Sequence, residues 1–251
     1  MAIYTFGSGT LWGVRSDIAT ATPVKFGALR EVSVEFSASS KQLFGQSQFP
    51  LAVARGTGKI ACKAKLGQVQ GRIFADLFFG AQMQPGQTTT ANGEAAAVPA
   101  AAPYQASVSN AAAFVADLGV IYAATGLPLV KVASNPAQGQ YTASAGVYAF
   151  NSADAGAGLL VSYTYGVPGS GQKFTLTNQQ LGTQPVFQAA LETTYNAPGG
   201  LKKAVLTLNA CVSSKLSMAT KLDDFAIPEM DFEAFADPAG NVLTWSFSEA
   251  S

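Results

Sequence analysis

The carboxylates come first, because this chain offers little else that could do chemistry. Asp231 and Glu233 lie two residues apart, and Glu192 is a further candidate. A carboxylate pair supports glycoside hydrolysis when the two groups flank a bond roughly 5 to 10 Å apart and burial raises one pKa. Spacing of two on a strand places Asp231 and Glu233 on one face, where solvated carboxylates are the plainer reading. Histidine is absent from all 251 residues, which removes Ser-His-Asp and Cys-His catalysis and imidazole metal ligation. Cys62 and Cys211 are far apart, each inside a strand-like stretch, and read as small buried hydrophobes rather than as a bridge or a zinc site.

The remaining motifs are equally sparse. Gly7-Ser8-Gly9 and Gly169-Ser170-Gly171 ahead of Lys173 lack the spacer and the Gly-Lys-Ser/Thr ending of a phosphate loop, so turns are expected. Asp223-Asp224 lacks the oxygen-rich loop that calcium requires. Lys59, Lys63 and Lys65 form a basic strand face that could meet phosphates or pair with acidic residues of a neighbour. Fifteen basic and fifteen acidic residues cancel, which argues against a free nucleic-acid binder. No catalytic constellation emerges; an enzyme, a metal site and a cofactor are not expected.

Composition points to assembly. Only 12% of residues are charged, about half the usual 25%, as expected where much of the surface ends against other subunits. A chain this long buries roughly 70 to 75% of its unfolded surface, enough for a core without disulfides or metal. The start, MAIYTFGSG, has no basic run followed by an apolar stretch, so no signal peptide is expected. The alanines near 95–102 are broken by proline and too short to span a bilayer. A soluble protein of a reducing cytoplasm is the expectation.

The elements that must position these residues fall into three segments, 1–85, 86–170 and 171–251. Lys25 to Thr90 is net positive by five, Ala91 to Ser170 is nearly uncharged, and Gly171 onward is net negative by three. Gln82 to Pro103 has the Pro, Gly, Thr and Ala content of a linker. Period-two alternation marks strands at Glu31–Ser37 and Leu51–Leu66, with a long loop from Ser37 to Pro50 between them. That loop holds Leu43, Phe44 and Phe49, which need cover. Ile73, Phe74, Leu77 and Phe78 share one helical face over Gln70–Phe79, and Gly80 supplies a stop. Further strands are predicted at Phe187–Tyr195 and Lys203–Ser214 around an Asn196–Gly200 turn, with Leu206, Leu208, Ala210 and Val212 inward. Another pair, Phe225–Phe235 and Val242–Phe247, is predicted around Asp237–Asn241. The middle segment reads as short strands at Gln105–Ser109, Pro128–Ala133, Gln140–Ser144, Val147–Phe150 and Leu159–Tyr165, an inserted β-domain.

Two runs carry a resemblance. Arg30 to Gly80, containing REVSVEFSASSKQLFGQSQFP and GRIFADLFFG, resembles the core of phage major tail tube proteins of the long, non-contractile type. Cys211 to Glu249, with KLDDFAIPEMDFEAFADPAGNVLTWSFSE, is similar to the C-terminal strands of the same family. YTASAGVYAFNSADAGAGLLVSYTY in the middle segment is similar to an add-on domain of some phage tail proteins. The resemblance implies a mainly β fold, a β-sandwich or partial barrel with one flanking helix, plus a small inserted β-rich domain. It implies rings, usually of six subunits, that stack into a tube conducting DNA to the host. The loop residues Leu43, Phe44, Gly45, Phe49 and Pro50 would reach into an adjacent subunit. Its partners would be copies of itself, the tape-measure and other tail proteins, and genomic DNA in passing without specific binding; no membrane is involved. The location would be the virion, after assembly in the bacterial cytoplasm.

Physical reasoning adds that a conduit should not hold phosphates. Nonspecific DNA contacts have dissociation constants of about 10⁻⁴ to 10⁻⁶ M per site, and repetition multiplies them. The wall is therefore expected to present either Glu31, Ser33 and Glu35 or Asp231 and Glu233, with the inserted domain projecting outward. Two rivals stay open: another virion component, such as a tail terminator or head decoration protein, and a polysaccharide-degrading enzyme using the carboxylates above.

Overall fold

The computed structural model describes Tyr4, Thr5 and residues 7–197 and 200–248. In chain order the strands are β1 (Tyr4–Thr5), β2 (Thr10–Arg15), β3 (Val24–Lys25), β4 (Leu29–Phe44), β5 (Pro50–Leu66), β6 (Gln84–Ala97), β7 (Gln105–Ser107), β8 (Phe114–Tyr122), β9 (Val130–Lys131), β10 (Gln140–Ser144), β11 (Val147–Phe150), β12 (Gly158–Lys173), β13 (Phe187–Ala197), β14 (Gly200–Ser217), β15 (Glu229–Phe235) and β16 (Leu243–Phe247). The fold is mainly β. Two compact units divide the chain, one of residues 1–83 with 174–251 and the other of residues 84–173. No helix among the described residues is long and apolar enough to cross a membrane.

The first unit is one nine-stranded sheet in the order β3-β2-β13-β14-β15-β5-β4, with β1 beside β13 and β16 beside β14. Its core lies on one face: Leu11, Phe26, Cys62, Leu66, Phe187, Leu208, Met230 and Phe232 surround Ile73, Phe74 and Leu77. Those last three come from the helical segment, an α-turn at Gly71–Ile73 that continues with wider i→i+5 turns over Phe74–Phe79. The predicted regular helix is thus corrected: widening turns Ala75 inward with Ile73, Phe74 and Leu77 and leaves Phe78 half-buried. Gly80 ends it at φ 65°, and the Ala81 amide donates to the Ala75 carbonyl at 2.8 Å. Ser213 Oγ donates to the Leu77 carbonyl at 3.0 Å and ties the segment to β14.

Three predicted features of this sheet are corrected. The Ser37–Pro50 loop is mostly strand: β4 and β5 remain paired from Leu29↔Leu66 to Phe44↔Pro50, leaving only Gly45–Phe49 as the turn. Irregularities near Ala38 and Leu43 disturb the period-two signal there. The predicted pair around Asp237–Asn241 does not exist as a pair. Instead β15 lies along Ala210–Ser217 of β14 and β16 along Ala204–Leu208, because an 18-residue strand offers one edge long enough for both. Residues 225–228 precede β15, and the Pro228 carbonyl accepts from the Leu66 amide at 2.8 Å. Along β14 the buried set runs Leu206, Leu208, Ala210 and then Cys211, since a register shift opposite Phe187–Ala189 flips the alternation; Val212 faces Glu233 on the other side. Of the Asn196–Gly200 turn, Pro198 and Gly199 lie outside the described residues, as does Glu249.

The second unit is a two-sheet sandwich, β6-β12-β8 facing β7-β11-β10-β9. The predicted linker over Gln82–Pro103 is corrected here. Residues 84–97 form β6, paired with β12 from Gln84↔Lys173 to Ala97↔Gly158. Thr88, Thr89 and Thr90 favour extended backbone, and Ala91 and Ala96 pack against the core. The strand β8 was also hidden, although Val120 and Tyr122 face the same core.

All three carboxylates of this unit are clasped by tyrosines. Asp117 accepts from Tyr141 Oη at 2.8 Å, Tyr148 Oη at 3.0 Å and the Gly119 amide at 3.1 Å, with Lys131 Nζ also at 3.0 Å. Glu94 accepts from Tyr163 Oη at 2.6 Å and from the Ser109 amide at 2.7 Å, and Asp154 from Tyr122 Oη at 2.8 Å. Burial pushes the Asp117 and Glu94 carboxyls up, but the donated hydrogen bonds outweigh it and hold both below their usual range. The Asp117 side chain is only 4% exposed and joins β8 of one sheet to β9, β10 and β11 of the other.

Two outcomes follow. Any Cβ on Gly13 would collide with Leu77 Cδ1, where the helical segment meets β2; Gly13→Val should destabilise the first unit by about 1–3 kcal/mol in urea unfolding. Asp117→Asn should cost the second unit about 1–3 kcal/mol. Because the folded pKa values of Asp117 and Glu94 are depressed, their contribution is complete above the unfolded carboxylate pKa values and is lost as pH falls through the folded ones. Acid titration followed by near-UV circular dichroism should show the variant losing its tyrosine signal at higher pH than the parent.

Candidate functional site

The sheet face opposite the core is built by the register of β4, β5 and β15. Glu31 lies opposite Lys65, Ser33 opposite Lys63 and Glu35 opposite Ala61; across the other edge of β5, Glu229 lies opposite Lys65, Asp231 opposite Lys63 and Glu233 opposite Ala61. Directly opposed residues share a face. The two candidate sets, Glu31, Ser33, Glu35 and Asp231, Glu233, are therefore one surface, with the lysine row between them. The ion pairs run across strands: Lys65–Glu31 at 2.6 Å, Lys59–Glu233 at 2.7 Å, Lys63–Glu229 at 3.4 Å and Lys63–Asp231 at 3.9 Å. The Lys65 hydrogen bond holds the Glu31 carboxyl below its usual range, and Glu31 raises Lys65 in return.

The lysine row is thus answered within its own chain, and the expectation of pairing with a neighbour's acids is not needed to explain it. Five carboxylates, Glu31, Glu35, Glu229, Asp231 and Glu233, stand against Lys59, Lys63 and Lys65, with Lys215 opposite Asp231 as a fourth cation. Glu35 takes part in no ion pair among the described residues. Between the strands lies a shallow depression of about 280 Å³ lined by Ser33, Glu35, Lys63, Ser214, Asp231 and Glu233. Asp231 Oδ1, in that depression, is the one buried side-chain oxygen among the described residues without a hydrogen-bond partner. Glu229 and Lys215 belong to the same surface and were missed, although continuing the period of two back from Asp231 reaches Glu229.

The carboxylates do not converge on a cleft. Asp231 and Glu233 each face a lysine of β5, while Glu192 pairs with Lys203 at 2.8 Å. Glu192 lies opposite Val205 and Asp231 opposite Lys215 on the same strand, which at the rise of a strand separates them by about 33 Å. No group of three or more Cys, Asp or Glu among the described residues is placed to hold a metal ion. Gly7 and Gly9 flank Ser8, whose Oγ donates to the Leu29 carbonyl at 2.7 Å, and Gly171 takes φ 73° within β12. Asp224 accepts from the Phe225 amide at 2.8 Å and pairs with Lys221 at 3.4 Å.

The outer parts of β4 and β5 form the second feature, a two-stranded arm. Every residue of β4 from Ser37 to Phe44 is exposed, and so are Leu51 to Arg55 of β5. Leu43 is 63% exposed, Phe44 56% and Phe49 75%, with Leu51 and Val53 likewise open. Gly45 and Phe49 bound the turn and Pro50 opens β5. A further apolar surface, absent from the expectations, lies where Phe36 stacks on Trp245 at 6.4 Å and Trp245 meets Phe247 at 4.9 Å.

Cys62 and Cys211 are free and buried, and burial pushes both thiols up to about 12. Ellman's reagent should therefore leave both unreacted in the native protein and titrate two thiols once denaturant is added; a rapidly reacting thiol in the folded state would contradict this placement.

Searches against known proteins give no identity: no protein-family model matches the chain, and no curated protein matches it.

Proposed function

We propose that this chain is a structural subunit that polymerises as stacked rings into the tube of a phage tail, through which DNA passes to the host. The observation that carries the reading is the β4–β5 arm, which extends beyond its own core with Leu43, Phe44, Phe49, Leu51 and Val53 open. An isolated two-stranded hairpin is marginal in water, and five large apolar residues on one need cover from another surface. The edge of β4 supports the same reading, because among the described residues its 16 residues pair on one side only. A neighbouring copy that completes this edge would close the sheet into a ring.

In this reading the β4-β5-β15 face lines the lumen. Its three β5 lysines are engaged by carboxylates, and five carboxylates against four lysines, Lys215 included, leave the wall with small polar groups and a net charge of −1 toward passing phosphates. The tape-measure protein would occupy the same channel before ejection, and no cofactor or turnover is required.

Negative-stain electron microscopy of the purified protein tests the proposal. Tubes or stacked rings are the expected result; discrete rings that never stack would favour a tail terminator, and monomers at high concentration would remove the reading. Phe44→Ser with Phe49→Ser should leave the circular dichroism spectrum unchanged while abolishing sedimentable assemblies.

A further inference from the structure

The two ends of the β4–β5 hairpin differ in chemistry. At the turn end the arm is apolar and basic: it carries Lys41 and Arg55, and the chain holds no carboxylate anywhere between Phe36 and Ala75. At the opposite end, where β5 finishes, the loop between β14 and β15 emerges. Its position is set by Ser217↔Glu229 and Glu229↔Lys65, and by the Leu66 amide donating to the Pro228 carbonyl. This loop exposes Leu222 at 98% and Phe225 at 83% beside Asp223 and Asp224; Lys221 pairs with Asp224 at 3.4 Å, so residues 218–228 are net acidic by one, through Asp223.

These surfaces match, yet one molecule cannot join them. Sixteen residues of β4 separate the arm tip from the end where the loop emerges, a span of about 50 Å at the rise of a strand. Arm-to-arm pairing would bring Lys41 and Arg55 of two copies together, and loop-to-loop pairing would oppose their aspartates. Of these three pairings, an arm against the loop of another copy is the one that places apolar on apolar and basic against acidic. Such a contact is heterologous, so it propagates from copy to copy along the strand direction instead of closing as a dimer.

We propose that the Leu222–Phe225 loop is the seat for the arm tip of a second copy of this chain, and that this contact stacks subunits end to end. The assignment rests on the tube reading above and identifies which surface receives the arm.

Two single-cysteine additions test it, since Cys62 and Cys211 are buried. Phe49→Cys and Phe225→Cys proteins, each confirmed folded by circular dichroism, are mixed and treated with a short bis-maleimide. Cross-linked heterodimer should exceed either homodimer, and a protein carrying both changes should give a ladder. Asp223→Lys with Asp224→Lys should cut the yield about fivefold at low salt, and Lys41→Glu with Arg55→Glu in the arm partner should restore it. Tubes formed by the protein carrying both changes that give no 49–225 product, or equal homodimer from either single variant alone, would overturn the seat while leaving the tube intact. A parent that is monomeric by microscopy, with no cross-link, would overturn both.

Discussion

The constraint on which the rest of the first unit depends is the one-sided pairing of β4. A strand satisfies its backbone through two neighbours, and here a 16-residue strand has only β5 among the described residues. Half of its amides and carbonyls therefore point away from β5 along the length of the strand. Folded proteins usually blunt such an edge with short strands, bulges or charges. This one carries irregularities at Ala38–Ser40 and Leu43–Phe44, which interrupt the outer arm but leave the Val32–Phe36 stretch regular. The regular stretch also carries Glu31, Ser33 and Glu35 of the charged face, so the open edge runs beside that face.

The charged face and the outer arm of the same hairpin differ in chemistry. Cross-strand ion pairs on an exposed face contribute little to stability. Their effect here is on potential: each lysine of β5 that could hold a phosphate instead has a carboxylate partner on β4 or β15. The arm follows the opposite rule, with cations unopposed and large apolar side chains open to solvent. One hairpin thus changes from a neutralised face to an exposed apolar and basic one along its length, and the change falls where β15 stops accompanying it at Ala234↔Ile60.

Much of this was legible in the residues, and the failures have physical causes. Val32, Val34 and Phe36 against Glu31, Ser33 and Glu35 gave the strand and its two faces, because half-burial imposes period two. The helix position and its Gly80 stop were equally readable, but the widening over Phe74–Phe79 depends on packing against the sheet. Residues 84–97 read as linker because Thr, Ala and Gly bury little by themselves; their order comes from pairing with β12, more than sixty residues away. The β14 inner face was misplaced after Ala210 because a single extra residue flips every later side chain. The acidic sets and the lysine row were each recognised, whereas their adjacency depends on a β15–β5 register that no local pattern encodes.

The second unit resolves a tension that its composition raises. A sandwich whose cores are filled with Tyr141, Tyr148 and Tyr163 must place phenol hydroxyls inside, and a buried hydroxyl without a partner destabilises the fold. The scarce carboxylates of residues 84–173 are the partners, one set for each tyrosine group. Charge is therefore withdrawn from the exterior to satisfy the interior, which accounts for a β-domain that folds with almost no charged surface. Replacing a tyrosine by phenylalanine would remove the need for the acid and the acid's reason for being buried together, so the pairs stand or fall as units. The low charge noted in the sequence thus has two origins in this chain: an open apolar arm in the first unit, and internal hydrogen bonding in the second.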